Sequence, residues 1–223
     1  MSNIVLHRKA LILRQQKKSY SQIKSILGVS KSTLSEWLRA YPLTREEINK
    51  LRANSEIRIE KYRQTMRKKR EVKLDQYRKE EKQKLLPLSR RELLIAGLFL
   101  YWGEGNKVSR NMVSINNTDP KLVQFALYWM KRALGVPINK VQIYLHLYKD
   151  MDIRQEMIYW SKALKIPLRQ FSKPYIKDSK RIDLDQKGFG HGTCGVRVYN
   201  TVIKDRILIG TQIIAEHYVR KLS

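Results

Sequence analysis

The chain has 223 residues, with 46 Lys and Arg against 20 Asp and Glu, a formal net charge of +26, and 42% hydrophobic residues. That apolar content can supply a core and excludes wholesale disorder, while a charge this large self-repels unless a polyanion offsets it, which points to nucleic acid ahead of an anionic membrane surface. A single cysteine, Cys194, excludes an internal disulfide framework and any multi-cysteine zinc site, and no run of about 18 apolar residues offers a membrane span.

The N-terminal Met1-Ser2-Asn3 opens no apolar signal region, so a cytoplasmic, nucleoid-associated protein is expected. The charge is spread along the chain: residues 1–90 hold 24 Lys and Arg against 9 acids, and the remainder 22 against 11. A basic tail on a neutral enzyme would concentrate the excess in one block, so two contact surfaces are expected. Composition marks three parts: a compact start over 1–43, a charged and nearly glycine-free run over 44–88, expected to be a long basic helical linker, and a mixed apolar and aromatic region over 89–223. All ten glycines except Gly28 fall in the third part, and no internal repeat is present.

The first part opens with a helix expected over about 5–15, carrying Leu6, Leu11 and Leu13. From Tyr20 to Trp37, YSQIKSILGVSKSTLSEW places Ile23, Ile26, Leu27, Val29, Leu34 and Trp37 as two short helices around one turn. Gly28 suits the residue that leaves the first helix with positive φ, and Ser30 suits the N-cap of the second. This spacing resembles the helix-turn-helix of resolvases and transposases. The resemblance implies duplex DNA binding, with the second helix, Lys31 to Arg39, in the major groove and Lys31, Ser32, Thr33, Ser35 and Glu36 as contacts. Packing alone is the alternative use of such a hairpin.

Thr44 with Glu47 three residues on makes a capping box, and no Gly or Pro interrupts 46–84. One solvated helix of about 40 residues is expected, reaching about 60 Å. Its cluster Arg67-Lys68-Lys69-Arg70 suits phosphates, although a charged face with i,i+4 pairs has the same composition.

Next comes an apolar run, ELLIAGLFLYWGEG over 92–105, that ends in small residues around one acid. This run resembles the LAGLIDADG homing endonucleases, whose helices pair tightly through small residues and end with an acid holding a divalent metal beside the scissile phosphate. Glu104 falls on that acid's position, between Gly103 and Gly105. The resemblance therefore implies Mg²⁺ at Glu104 with Gly103 beside it, and a lysine such as Lys107 or Lys173 stabilising the charged phosphate. Aligned on Glu104, this chain has Phe99 and Trp102 where the family has small or acidic residues, which shifts helix packing to Gly97 and Gly103. The final helix echoes the motif only faintly around Leu208 to His217. Cleavage would therefore need a homodimer paired through the helix from Leu93 to Gly105, so that two acids meet.

Over the rest of the chain the pattern predicts a hairpin (107–108 and 112–116), a helix (120–134), a strand (140–149), a helix (153–164), strands at 171–176 and 193–199, and a helix over 201–221, a series that resembles the mixed α+β fold of that family. In the strand at 140–149, Val141, Ile143, Leu145 and Leu147 alternate with Gln142, Tyr144, His146 and Tyr148, which describes a sheet with one covered face. Arg197 and Tyr199 in the last strand, and Lys173, Tyr175 and Lys177 in the one before it, join that outward set. The resemblance implies that this concave face lies along DNA, making these residues contacts. His191 and Cys194 in His-Gly-Thr-Cys read as a turn entering a strand rather than half a metal site.

Three functions follow as expectations: a site-specific, Mg²⁺-dependent DNA endonuclease acting as a homodimer; a DNA-binding transcriptional regulator on the same fold that does not cut; or an RNA-binding, maturase-like protein.

Overall fold

The computed structural model describes residues 3–51, 54–179 and 190–220. Its chain divides into two compact units, Met1–Leu86 and Pro87–Ser223. The described residues form nine α-helices and one four-stranded mixed sheet, so the chain is α+β. Among them no helix is long and apolar enough to cross a membrane.

Five helices make the first unit: α1 (Asn3–Gln15), α2 (Tyr20–Leu27), α3 (Lys31–Trp37), α4 (Arg45–Asn49) and α5 (Asn54–Leu85). Ser19 and Gln22 close a capping box at the start of α2, and Gly28, at φ +69°, ends it in the left-handed region where a side chain is disfavoured. The Ser30 hydroxyl then accepts from the Thr33 N–H and starts α3, two residues shorter than its sequence pattern. Ala10, Tyr20, Ile23, Leu34 and Leu38 form the core of the unit.

The Thr44 capping box forms as its spacing requires, but α4 stops at Asn49 and the chain restarts as α5 at Asn54. The uninterrupted helix expected over 46–84 is thus two helices. Ile48 is buried, and α5 packs against both α2 and α4. There Gln64 donates to the Leu43 carbonyl, and Glu60 accepts both from Arg14 at 3.2 Å and from the Tyr20 backbone N–H at 3.0 Å. The first turns of α5 are therefore part of the helical unit, whereas 68–85 are exposed throughout.

In the second unit, α6 (Arg90–Glu104), β1 (Met112–Asn117), α7 (Pro120–Arg132), β2 (Gln142–Tyr148), α8 (Ile153–Leu164), β3 (Tyr175–Lys177), β4 (Thr193–Tyr199) and α9 (Thr201–Val219) follow in order. Side-chain caps start all four of its helices: Ser89 with Glu92 for α6, Asp119 ahead of Pro120 for α7, Asp152 for α8 and Asn200 for α9, with Pro120 itself at the first turn. The sheet order is β1-β4-β2-β3, antiparallel except for the parallel pair β2 and β3. Val113, Ile115, Ile143, Leu145, Leu147, Cys194, Val196 and Val198 turn into the core beside Trp129 and Trp160. No strand forms at 107–108; the Asn106 N–H reaches the Ser114 carbonyl and Gly105 bridges Ile115 instead.

Candidate nucleic-acid interface

In the helical unit, α3 does not present its outer face alone. Lys31, Ser32, Ser35, Glu36 and Arg39 form one wall of a cleft of about 820 Å³, and α5 forms the other with Ile59, Tyr62, Arg63, Met66, Arg67 and Arg70. The α5 positions recur at three and four residues, which places them on one face of that helix. Thr33 points elsewhere: it is half-buried, with its hydroxyl 2.8 Å from that of Ser30.

Within the basic cluster the four residues separate. Arg67 donates to the Arg39 carbonyl at 3.0 Å and to the Tyr20 hydroxyl at 3.3 Å, so it docks α5 on α2 and on the turn that follows α3. Arg70 lines the cleft, and Lys68 and Lys69 are exposed outside it. Arg39 and Arg63 join the cleft although their spacing did not single them out; Arg63 stands 4.9 Å from the Tyr20 ring centre.

The sheet register assembles a second surface. Ser114, Arg197 and Gln142 lie in one row across β1, β4 and β2; Asn116, Gly195 and Tyr144 lie in the next; Thr193, His146 and Tyr175 follow; and Tyr148 faces Lys177. The outward residues of four separate sequence stretches thereby share one face. Tyr144 lies flat on it because Gly195 has no side chain: a Cβ there would stand 2.2 Å from the tyrosine ring. The Tyr144 hydroxyl meets Ser114 at 2.7 Å and donates to Asn116, while the Arg197 guanidinium stands 4.9 Å from the ring centre. Lys177 stands 4.9 Å from the Tyr148 ring, and Tyr175 and Tyr199 are 63% and 54% exposed. Aromatic faces interleaved with cations suit stacking and phosphate contact together. Burial, and then the Lys177 charge, hold the His146 imidazole below its ordinary range, so at neutral pH it offers a neutral ring. Lys173 precedes β3 outside the strand and is exposed.

No family model, no curated protein and no solved structure matches this chain.

At the end of α6, Glu104 is exposed, and its Oε2 accepts a 3.4 Å hydrogen bond from the Asn117 amide. The turn beyond it is tied down from below. Lys204, 1% exposed, donates to the Tyr101 hydroxyl at 2.6 Å and to the Asn106 carbonyl, which also accepts from Tyr101. Burial pushes the Tyr101 phenol up to about 12, and burial followed by the Lys107 charge lowers Lys204. The latch fixes where the chain leaves Glu104.

The donor set of one copy does not fit Mg²⁺. Glu104 supplies one carboxylate, and the Gly103 carbonyl, its expected companion, faces the Lys107 ammonium at 3.4 Å. No cluster of three or more His, Cys, Asp or Glu suited to a metal occurs among the described residues. Lys173 is also misplaced for work beside Glu104. The acid neighbours β1, at one edge of the sheet, and Lys173 lies by β3 at the other, about 14 Å away across three strand spacings. Nor is the whole of α6 free for a partner: Leu93, Gly97, Leu98 and Tyr101 are buried, leaving Leu94, Phe99 and Trp102 exposed.

Proposed function

We propose that this chain is a site-specific double-stranded DNA-binding protein that holds its target through both units. A resolvase-like helix-turn-helix reads the major groove with α3, and a LAGLIDADG-like domain lays its open sheet face on the duplex. The observation that carries this reading is the register of the sheet, which gathers Gln142, Tyr144, His146, Tyr148, Tyr175, Lys177, Arg197 and Tyr199 onto one face opposite the core. The charge supports it, since residues 1–86 hold 23 Lys and Arg against 9 acids and the remainder 23 against 11. Such a protein acts by occupying a site, as a transcriptional regulator does.

The test is equilibrium binding to duplex DNA across a salt series. Each phosphate contact contributes about 0.9 to the slope of log K on log salt, so Lys177→Ala and Arg197→Ala should each flatten the slope by about 0.9, and Arg70→Ala in the other unit should do the same. An unchanged slope in the sheet variants would remove the sheet from the interface.

One observation favours the endonuclease reading for an assembly of two copies. Gly103 has open space around it and exposed Phe99 and Trp102 nearby, a surface on which a second copy would bring two Glu104 carboxylates together. The assay is nicking of bound, supercoiled target DNA in Mg²⁺ by the wild type and Glu104→Gln. We expect tight binding with no nicking by either protein; nicking that disappears in Glu104→Gln would establish the homodimeric nuclease instead.

A further inference from the structure

Glu36 is out of place in the cleft between α3 and α5. The described residues lining that cleft include Lys31, Arg39, Arg63, Arg67 and Arg70, and Glu36 is the single carboxylate among them. It is exposed and forms no ion pair with any described residue. On a surface suited to phosphates, an unpaired carboxylate repels the ligand and lowers affinity for every sequence alike. That cost is recovered only where the carboxylate meets a hydrogen-bond donor.

The major groove narrows the choice of donor. Guanine shows N7 and O6, both acceptors, and thymine shows O4 and a methyl group. Adenine offers its N6 amino group, but with the N7 lone pair beside it, which a carboxylate meets unfavourably. Cytosine offers its N4 amino group with only a C–H neighbour, so it is the base edge that a carboxylate prefers. The walls of the cleft supply the rest. Arg67 is committed to the Arg39 carbonyl and to Tyr20, which leaves Arg63 and Arg70 on α5 to hold the strand whose base is read.

Building on the duplex-binding reading above, we infer that Glu36 determines sequence specificity by accepting a hydrogen bond from the N4 amino group of a cytosine in the bound site, while α5 contacts the adjacent phosphates through Arg70. The helix α5 is then a second wall of the reading site.

The experiment is selection of bound duplexes from a random library by the full chain at fixed salt, repeated with Glu36→Gln, Glu36→Ala and Arg70→Ala. The wild type should select cytosine at one position of its site by about tenfold over other bases. Glu36→Gln should move that position towards adenine, which glutamine reads through N6 and N7, and Glu36→Ala should erase the preference there alone while binding non-specific duplex at least as tightly. Arg70→Ala should weaken all sequences alike and leave the preference intact. The same preference in all three Glu36 forms, or a wild type that binds duplex without base preference, would overturn the assignment while leaving duplex binding standing. A wild type that fails to bind duplex at all would overturn the duplex reading on which it rests.

Discussion

Replacing Glu60 by Leu should destabilise the helical unit by about 3–5 kcal/mol, the cost of breaking a buried ion pair by removing one partner. Glu60 and Arg14 are each 3% exposed, and one Glu60 oxygen accepts from both the Arg14 guanidinium and the Tyr20 backbone N–H. The substitution would leave that N–H, at the first turn of α2, without its acceptor. It would also leave Arg14 buried with no carboxylate. Arg14 has little in reserve: Nη1 donates to the Lys18 carbonyl, its carbon centre lies 4.3 Å from the Tyr20 ring centre, and Nε and Nη2 have no partner among the described residues. A buried pair of this kind is replaceable as a unit, because two apolar side chains avoid the desolvation that the two charges incur. The double variant Arg14→Met/Glu60→Leu should therefore recover most of the loss. Hydrogen exchange along α1 and α2 reads the effect where it occurs. A single variant whose protection there matches wild type would show that α5 is not bound to the helical unit through Glu60.

That pair also marks where the sequence stopped being informative. Caps at Ser30 and Thr44 were legible because each acts on a backbone N–H within three residues, and α8 and β4 begin and end where their local patterns do. The outward set on β2 was legible for a similar reason, since alternation alone assigns faces. The break between α4 and α5 was not, because nothing local forbids helix at residues 50–53. The contact that α5 makes beyond it joins Glu60 to Arg14, 46 residues apart in sequence. The arrangement of β3 was equally hidden. A three-residue edge strand paired in parallel has little alternation to show, and without the sheet order there was no means of seeing that Lys173 and Glu104 lie by opposite edges. The candidate site follows the same division. Arg197, Tyr144 and Lys177 could be named from their own strands, but the seat that Gly195 provides for Tyr144, and the joining of α3 to α5 across one cleft, depend on contacts between distant segments.

The two glycines of the apolar helix α6 should respond with opposite signs to the same substitution. Both were expected to serve helix pairing, yet they occupy different surroundings. At Gly97 an added Cβ would stand 1.9 Å from Nε1 of Trp129, a fully buried indole on α7. No flexible chain end is available to give way, since the clash is with an aromatic ring inside a packed core. Gly97→Ala should therefore cost about 3 kcal/mol, at the upper end of ordinary overpacking, and Gly97→Ala/Trp129→Phe should regain part of it because the smaller ring vacates the space. At Gly103 a Cβ meets nothing within 4 Å. There alanine gains helix propensity without a clash, so Gly103→Ala should stabilise the unit by about 0.5 kcal/mol. Denaturant unfolding of the two single variants measures both signs. A neutral Gly97→Ala would mean that α6 does not pack on Trp129. Sedimentation of Gly103→Ala adds a functional reading. Copies that pair closely at the end of α6 have no room for the extra methyl and should dissociate more readily, whereas a chain that binds DNA without that pairing should be unaffected. The Gly97 result thus measures the fold within one chain, and the Gly103 result decides whether the exposed end of α6 brings two Glu104 carboxylates together.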